Sequence, residues 1–289
     1  MDDTKTLLKD SKGNQIYVKE DGKYREAVVA DYYTAEKFYI KNEDAYIYKG
    51  WQTINGNVYY YDKNGNKVTG TQIIQGVEYK FTDEGILSVD KNGTIGIDVS
   101  KWNGTIDWNA VRDSGVSFVI VRCGYRGSSS GVLVTDPKFK SNVQGARAAG
   151  LKVGVYFFTQ AINEVEAVEE ASMTLSLIKG MGIGYPVFID TEACGGRADG
   201  ISAEQRTAVC RAFCETIKSG GYTPGVYASK AWYNNNVNFG SLSGYKIWLA
   251  QYASKPTFSG KYDLWQHTAK GSVDGIKGNV DMNISYLGY

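Results

Sequence analysis

Histidine is almost missing from this chain of 289 residues: His267 stands alone. A His-rich metal site is thereby excluded, and a Ser-His triad is not expected. Proline is scarce, and all four (Pro137, Pro186, Pro224, Pro256) fall after residue 90. No apolar run approaches the ~20 residues of a membrane span. The opening, MDDTKTLLKD, lacks the charged n-region and apolar h-region of a signal peptide. No excess of either charge exists, with 32 Lys and Arg against 31 Asp and Glu. The basic footprint of a nucleic-acid binder is therefore absent. The GMGIG string at 180–184 precedes an apolar run instead of following one, the wrong order for a dinucleotide loop. Of the four cysteines, Cys210 and Cys214 share a helix face at i, i+4, but no second pair completes a zinc spacing. Cys123 reads as a buried thiol. These absences point to a chain needing no metal or cofactor, with no nucleic-acid partner and no membrane span; it is expected to be a monomer.

Tyrosine is abundant instead, and half of the 22 lie in residues 1–90. That segment carries 12 Lys and Arg against 15 Asp and Glu, net −3, which leaves the remainder at net +4. Two composition regimes argue for two domains, 1–90 and 91–289, with the seam in the polar stretch SVDKNGTIG at 88–96.

Residues 51–70 (WQTINGNVYYYDKNGNKVTG) and 71–90 (TQIIQGVEYKFTDEGILSVD) align at an offset of twenty. Gly56 falls on Gly76, Tyr59 on Tyr79, Tyr61 on Phe81 and Gly65 on Gly85. Each unit reads as aromatic strands around Asn/Asp-Gly turns, a β-hairpin signature, and lone hairpins must stack to bury a face. QIYVKEDGK and KFYIKNEDAYIYKG upstream read as more degenerate units. These units resemble the cell-wall-binding (choline-binding-like) repeats of Gram-positive bacteria. The resemblance implies a wall polymer held by residues 1–90, through aromatic surfaces that cage a quaternary ammonium or stack on a sugar. Thr71 replaces Trp51 in the second unit, so a choline cage there lacks a wall. The other reading is that Tyr59, Tyr61, Tyr79 and Phe81 form the hairpin core and bind nothing.

From residue 94 the pattern alternates. Apolar, β-rich runs at 94–99, 118–125, 152–160, 186–192 and 223–229 are interleaved with helical stretches at 107–114, 137–149, 164–179 and 202–219. Three more strands follow at 246–252, 262–268 and 279–285. Ser202-Ala-Glu-Gln205 reads as a capping box. Crossover helices imply a parallel sheet. The fold class is α/β, a modified (β/α)5(β)3 TIM-like barrel preceded by a small all-β hairpin-repeat domain; an open doubly wound sheet is the runner-up. In a barrel, chemistry sits at the C-terminal strand ends. Asp98 closes the first strand, and Asp190 and Glu192 close the fourth on one face, Thr191 pointing away. Asp281 on the last strand meets Asp98 if the barrel closes. Converging carboxylates raise the pKa of at least one, which suits a general acid near neutral pH.

The segments GIDVS, VRCGYR, GVYFF, FIDTE, GYTPGVY, IWLAQY, DLWQH and VDMN run in order through residues 95–289 and resemble glycoside hydrolase family 25, the N-acetylmuramidases. The resemblance implies a lysozyme that cleaves the β-1,4 bond between N-acetylmuramic acid and N-acetylglucosamine in bacterial peptidoglycan. Glu192 would be the general acid/base and Asp190 would stabilise developing charge or orient the acetamido group. Asp98 and Asp281 would shape the site. Tyr125, Tyr156, Tyr227, Trp248, Gln251 and Gln266 resemble the family's substrate residues, whereas Trp265 and Phe158 read as core. Such a protein is expected to be secreted or wall-associated, and an exported protein accommodates a disulfide from Cys194 to Cys210 or Cys214. The alternatives are a peptidoglycan-binding barrel without activity and a chitinase-like hydrolase.

Overall fold

The computed structural model describes residues 93–287 throughout and, before them, residues 5–9, 13–31, 35, 37–40, 45–46, 50–54, 57–62, 65–74 and 77–87. The chain divides into two compact units, residues 1–92, with which the segment Arg112–Gly115 is grouped, and the remainder of 93–289.

In the first unit Ile16–Glu20 is an inner strand of a four-stranded antiparallel sheet, between Lys23–Glu26 and Phe38–Ile40, with Ala45–Tyr46 beyond. The two upstream stretches therefore each form a hairpin but join edge to edge, through Tyr17 opposite Tyr39. The two repeats do something different. Gly50–Ile54 pairs with Asn57–Tyr61, and Gly70–Ile74 with Val77–Phe81, in registers twenty residues apart, Gln52 opposite Tyr59 and Gln72 opposite Tyr79. The connecting Asn55-Gly56 and Gln75-Gly76 lie outside the described residues. After each hairpin a tight turn bonds Gly65 N–H to the Asp62 carbonyl at 3.0 Å and Gly85 N–H to Thr82 at 2.9 Å. Both glycines have positive φ, 83° and 79°. A Cβ at Gly85 would also fall 2.6 Å from the Lys67 stem, so two constraints select glycine there. Tyr59, Tyr61, Tyr79 and Phe81 are buried. Tyr59 and Tyr61 share a core with Leu8, Ile16, Val18 and Phe38. These four aromatics are thus core residues and not the walls of an open cage.

The second unit is a closed barrel of eight strands: β1 (Thr94–Val99), β2 (Phe118–Arg126), β3 (Lys152–Phe158), β4 (Val187–Asp190), β5 (Pro224–Ser229), β6 (Lys246–Ala250), β7 (Leu264–Gly271) and β8 (Val280–Ser285). Neighbours from β1 to β7 are parallel. β8 runs antiparallel to both β7 and β1 and closes the circle. Helices α1 (Trp108–Asp113), α2 (Phe139–Ala148), α3 (Glu164–Ile178), α4 (Ala203–Ser219) and the short α5 (Lys230–Asn235) follow the first five strands. This is the expected five-plus-three plan, and α5 was not read from the sequence. Nor was Leu133–Thr135, which adds antiparallel to β2.

Local chemistry explains the helix starts. Asn163 accepts the Glu166 N–H at 3.0 Å ahead of α3, and Ser202 accepts the Gln205 N–H at 3.2 Å ahead of α4. The Gln205 amide bonds to Glu164 instead of turning back to the cap. Phe118, Ile120, Tyr185, Phe188, Trp248 and Leu264 belong to the interior core. A Cβ on Gly96 would strike the Phe118 ring at 2.3 Å, so the first strand leaves out a side chain where the second fills the space.

The string GSSSG at 127–131 spells G-x-S-x-G, yet it forms a hairpin turn after β2, closed by Gly127 N–H to Val132 at 2.9 Å. A nucleophile elbow requires a strand-to-helix turn. The expected disulfide does not form either: all four cysteines are free. Cys210 and Cys214 are buried on α4, where the Cys214 thiol faces the Gly225 carbonyl of β5 at 3.6 Å, while Cys194 is exposed.

Candidate active site

Period-two geometry brings one face of every strand into the barrel. Asp98 of β1 lies directly opposite Asp281 of β8. Residues so paired across antiparallel strands point to the same side with Cβ atoms ~5 Å apart. Because β8 is antiparallel, its first residues reach the end of the barrel where the parallel strands finish. Asp281 therefore joins the mouth although it begins its strand. β4 ends at Asp190, and Glu192 follows two residues later. Thr191 between them is buried and lies 3.5 Å from the Arg206 guanidinium.

These groups occupy two levels. A cleft of about 660 Å³ is lined by Asp190, Glu192 and Asp281 together with Tyr125, Tyr156 and Phe158. Asp98 lies beneath it. Its Oδ2 accepts the Gln266 amide and the Asn283 amide, both at 2.8 Å. Each donor is itself held in orientation. Trp248 Nε1 donates to Asn283 at 2.7 Å. Tyr227 and Tyr252 hydroxyls donate to Gln266 at 2.8 and 3.0 Å. Among the buried side chains, Trp248 is only 1% exposed. Of the six residues read as substrate contacts, Tyr125 and Tyr156 line the cleft, whereas Tyr227, Trp248 and Gln266 form this buried support. Gln251 stands elsewhere, bonding Thr257 through both ends of its amide at 2.7 and 3.0 Å.

The electrostatics follow from burial. Asp98 is raised well above the usual carboxylate value by burial and then by Asp281, against the two amide donors. Burial and Glu192 push Asp190 well up. Glu192 is raised by burial and then by Asp281. Burial brings Asp281 to about 6. The cluster thus retains protons where ordinary carboxylates have lost them. Asp190 Oδ1 is buried with no hydrogen-bond partner. His267 contributes no charge near neutrality, since burial lowers it to about 4. No three His, Cys, Asp or Glu side chains among the described residues are arranged to hold a metal ion.

The loop beyond Glu192 is anchored at several points. Arg197 forks onto Glu166 at 2.8 and 2.9 Å. Ala198 N–H reaches Gln160 at 3.2 Å, and Arg206 donates to the Ala198 carbonyl at 2.7 Å. Arg126, on the cleft wall, pairs with the buried Glu170 at 2.8 Å, and Thr159 donates to the same carboxyl at 2.6 Å. Burial nonetheless lifts Glu170 to about 7.

Several cleft residues escaped the sequence reading. A bulge at Cys123 shifts the β2–β3 register, so that Arg122 pairs with Tyr156 and Tyr125 with Phe158. Arg122 and Tyr125 both reach the cleft across this break in alternation, a common use of bulges beside active sites. Phe158, expected in the core, lines the cleft. Trp102 is 79% exposed on the turn Lys101–Asn103, which Ser100 and Asn103 cap reciprocally. That S-x-x-N spacing is a cap signal the sequence carried. Asn283 sits two residues from Asp281, the same spacing that marked Asp190 and Glu192.

A barrel whose mouth gathers carboxylates of raised proton affinity beside aromatic rings has the make-up of a glycoside-cleaving site. Comparison with known proteins agrees. Residues 97–276 match the Glycosyl hydrolases family 25 model, and residues 48–90 match a choline-binding repeat. The autolytic lysozyme of Clostridium acetobutylicum is 31% identical over 189 residues, 65% of this chain and 54% of that protein. Lysozyme M1 of Streptomyces globisporus is 29% identical over 228 residues, 74% of this chain and 75% of that one. The modular autolysin LytC from Streptococcus pneumoniae, solved with a synthetic peptidoglycan ligand, superposes with a TM-score of 0.62 at 25% identity, over 93% of this chain and 66% of that one. The chain belongs to glycosyl hydrolase family 25. It spans about half the length of the clostridial relative.

Proposed function

We propose that this protein is a peptidoglycan hydrolase that cleaves the β-1,4 bond between N-acetylmuramic acid and N-acetylglucosamine. The observation that carries the mechanism is the pair at the end of β4: a half-buried Glu192 of raised proton affinity just beyond Asp190, whose Oδ1 is buried and unpartnered. Glu192 donates its proton to the glycosidic oxygen as the bond to the anomeric carbon breaks. Asp190 accepts the N–H of the muramyl acetamido group, and the carbonyl oxygen of that group attacks the anomeric carbon. Glu192, now a carboxylate, takes a proton from water as the water opens the cyclic intermediate. The product keeps its β configuration. Asp281 shapes the mouth and raises the proton affinity of Glu192, with Asp98 buried opposite it.

Residues 1–90 are proposed to hold the enzyme on a wall polymer, supported by the repeat match at 48–90. Secretion to the wall follows from that substrate. No helix among the described residues is long and apolar enough to cross a membrane.

The test is digestion of purified peptidoglycan by the intact chain and by Glu192→Gln, with products reduced by borohydride and read by mass spectrometry. Reduced muramic acid ends are expected from the intact chain. Loss of general-acid help lowers the rate of the variant by roughly 10²–10⁴. Reduced glucosamine ends would show the wrong bond. An α anomer by NMR at early times would exclude the substrate-assisted route.

A further inference from the structure

A cleft that already holds Asp190, Glu192 and Asp281 repels a further carboxylate, yet the substrate proposed above is acidic. Muramic acid carries a lactyl carboxylate, and where a stem peptide caps that group the peptide brings carboxylates of its own. Something in the cleft must offset the repulsion. Three cationic side chains line it among the described residues: Lys101, Arg122 and Arg126. Two are neutralised. Arg122 Nε bonds Asp136 at 2.8 Å, and Arg126 bonds Glu170 at 2.8 Å and Glu169 at 2.9 Å.

Lys101 is different. Among the described residues its ammonium has no carboxylate within ion-pair distance. It rests between two rings, 4.7 Å from the centre of Trp102 and 5.3 Å from that of Tyr125. Ring faces hold an ammonium in place without cancelling its charge or using its three N–H donors. The backbone is fixed as well, since the Lys101 N–H bonds Asp136 at 3.0 Å on the turn capped by Ser100. The neighbouring Trp102 ring is largely exposed and offers a flat apolar face of the kind that stacks on a sugar.

We infer that Lys101 is a specificity-determining residue that binds a carboxylate on the glycan while Trp102 carries the adjoining sugar ring. This rests on the muramidase reading. The lysine separates acidic wall glycan from neutral N-acetylglucosamine polymers, which share the backbone linkage but bring no anion.

The experiment compares the intact chain, Lys101→Met and Lys101→Arg on three substrates: peptide-free wall glycan, the same glycan with its lactyl carboxylates converted to amides, and peptide-bearing glycan. Thermal melts check that the variants fold. If the lactyl group is the ligand, Lys101→Met raises KM about tenfold on peptide-free glycan, the size of one charge-assisted hydrogen bond. Then kcat stays within twofold, Lys101→Arg restores most of the affinity, and amidation raises KM of the intact chain by a like factor without adding to the variant's defect. If the stem peptide supplies the carboxylate, the loss is confined to peptide-bearing glycan. An equal KM change on all three substrates, or none on either acidic one, overturns the lysine's role while leaving the muramidase reading intact. Failure of the intact chain to cleave any wall glycan overturns both.

Discussion

Replacing Asp281 by Asn tests the electrostatics of the site without reference to any substrate. Burial raises Asp281 from the usual 3.8 to about 6. Between those values the folded protein holds a proton that the unfolded chain has released. The associated stability is complete below pH ~4 and is lost as pH rises through about 6. A rise of about two in pKa, at ~1.4 kcal/mol for each, makes the loss about 3 kcal/mol at pH 7. Asn carries no proton, so the variant does not share this decline. It also relieves Asp98 and Glu192, whose proton affinity the Asp281 charge raises. At roughly 2–4 °C per kcal/mol for a domain of this size, Asp281→Asn should melt about 6–12 °C above the wild type at pH 7, and near it at pH 4. Tryptophan fluorescence reads the barrel, because only Trp51 of the six lies outside it. Glu170, raised to about 7, gives both proteins a further decline over the same range, so the informative quantity is the difference between them. Melting curves that fall in parallel from pH 4 to 7 would refute the coupled cluster.

The remaining predictions concern support and targeting. Asn283→Leu removes one of two amide donors to Asp98 and leaves the buried Trp248 N–H without its acceptor; it should destabilise by about 2–4 kcal/mol in urea melts, and a change below ~0.5 would mean the network carries no weight. Deleting residues 1–90 should leave hydrolysis of soluble glycan fragments unchanged while lowering activity on whole walls tenfold or more, through loss of effective concentration; equal activity on whole walls would remove the tethering role.

Much of the barrel is legible because most strands announce themselves by an apolar run and α4 by its Ser202 cap. Asp190-Thr-Glu192 stood out for the same reason: two acids at period two ending an apolar strand have no packing role. Direction was harder. The last three strands lack crossover helices, and nothing in VDMNIS states which way it runs. Its reversal is what brings Asp281 from the start of a strand to the mouth. The bulge at Cys123 is also invisible, since VRCGYR reads as a plain strand, and strict alternation does not bring both Arg122 and Tyr125 to the cleft that they line. In the first unit the twenty-residue register was plain, but not the joining of the upstream hairpins edge to edge, which depends on backbone pairing any side chain permits.

The deeper gap is depth along the barrel. Alternation says which face a residue takes, and Asp98, Asp190, Tyr227, Trp248, Gln266 and Asn283 were all assignable to the interior. It does not say at which level. One step of two residues moves a side chain ~7 Å along a strand. That step separates Asp281, which lines the cleft, from Asn283, which supports Asp98 below it. Trp248 looked like a sugar platform by residue type and strand position, yet it lies a level lower, where an indole N–H must be satisfied and Asn283 accepts it. The exposed indole at the mouth is Trp102, supplied by a turn after β1 and set beside the ammonium of Lys101. Strand positions thus supply the acids and their buried support, while a capped turn supplies the surface that meets the glycan. A turn can change its side chains without disturbing a single interior contact, so substrate preference is free to vary there while the chemistry below is held constant.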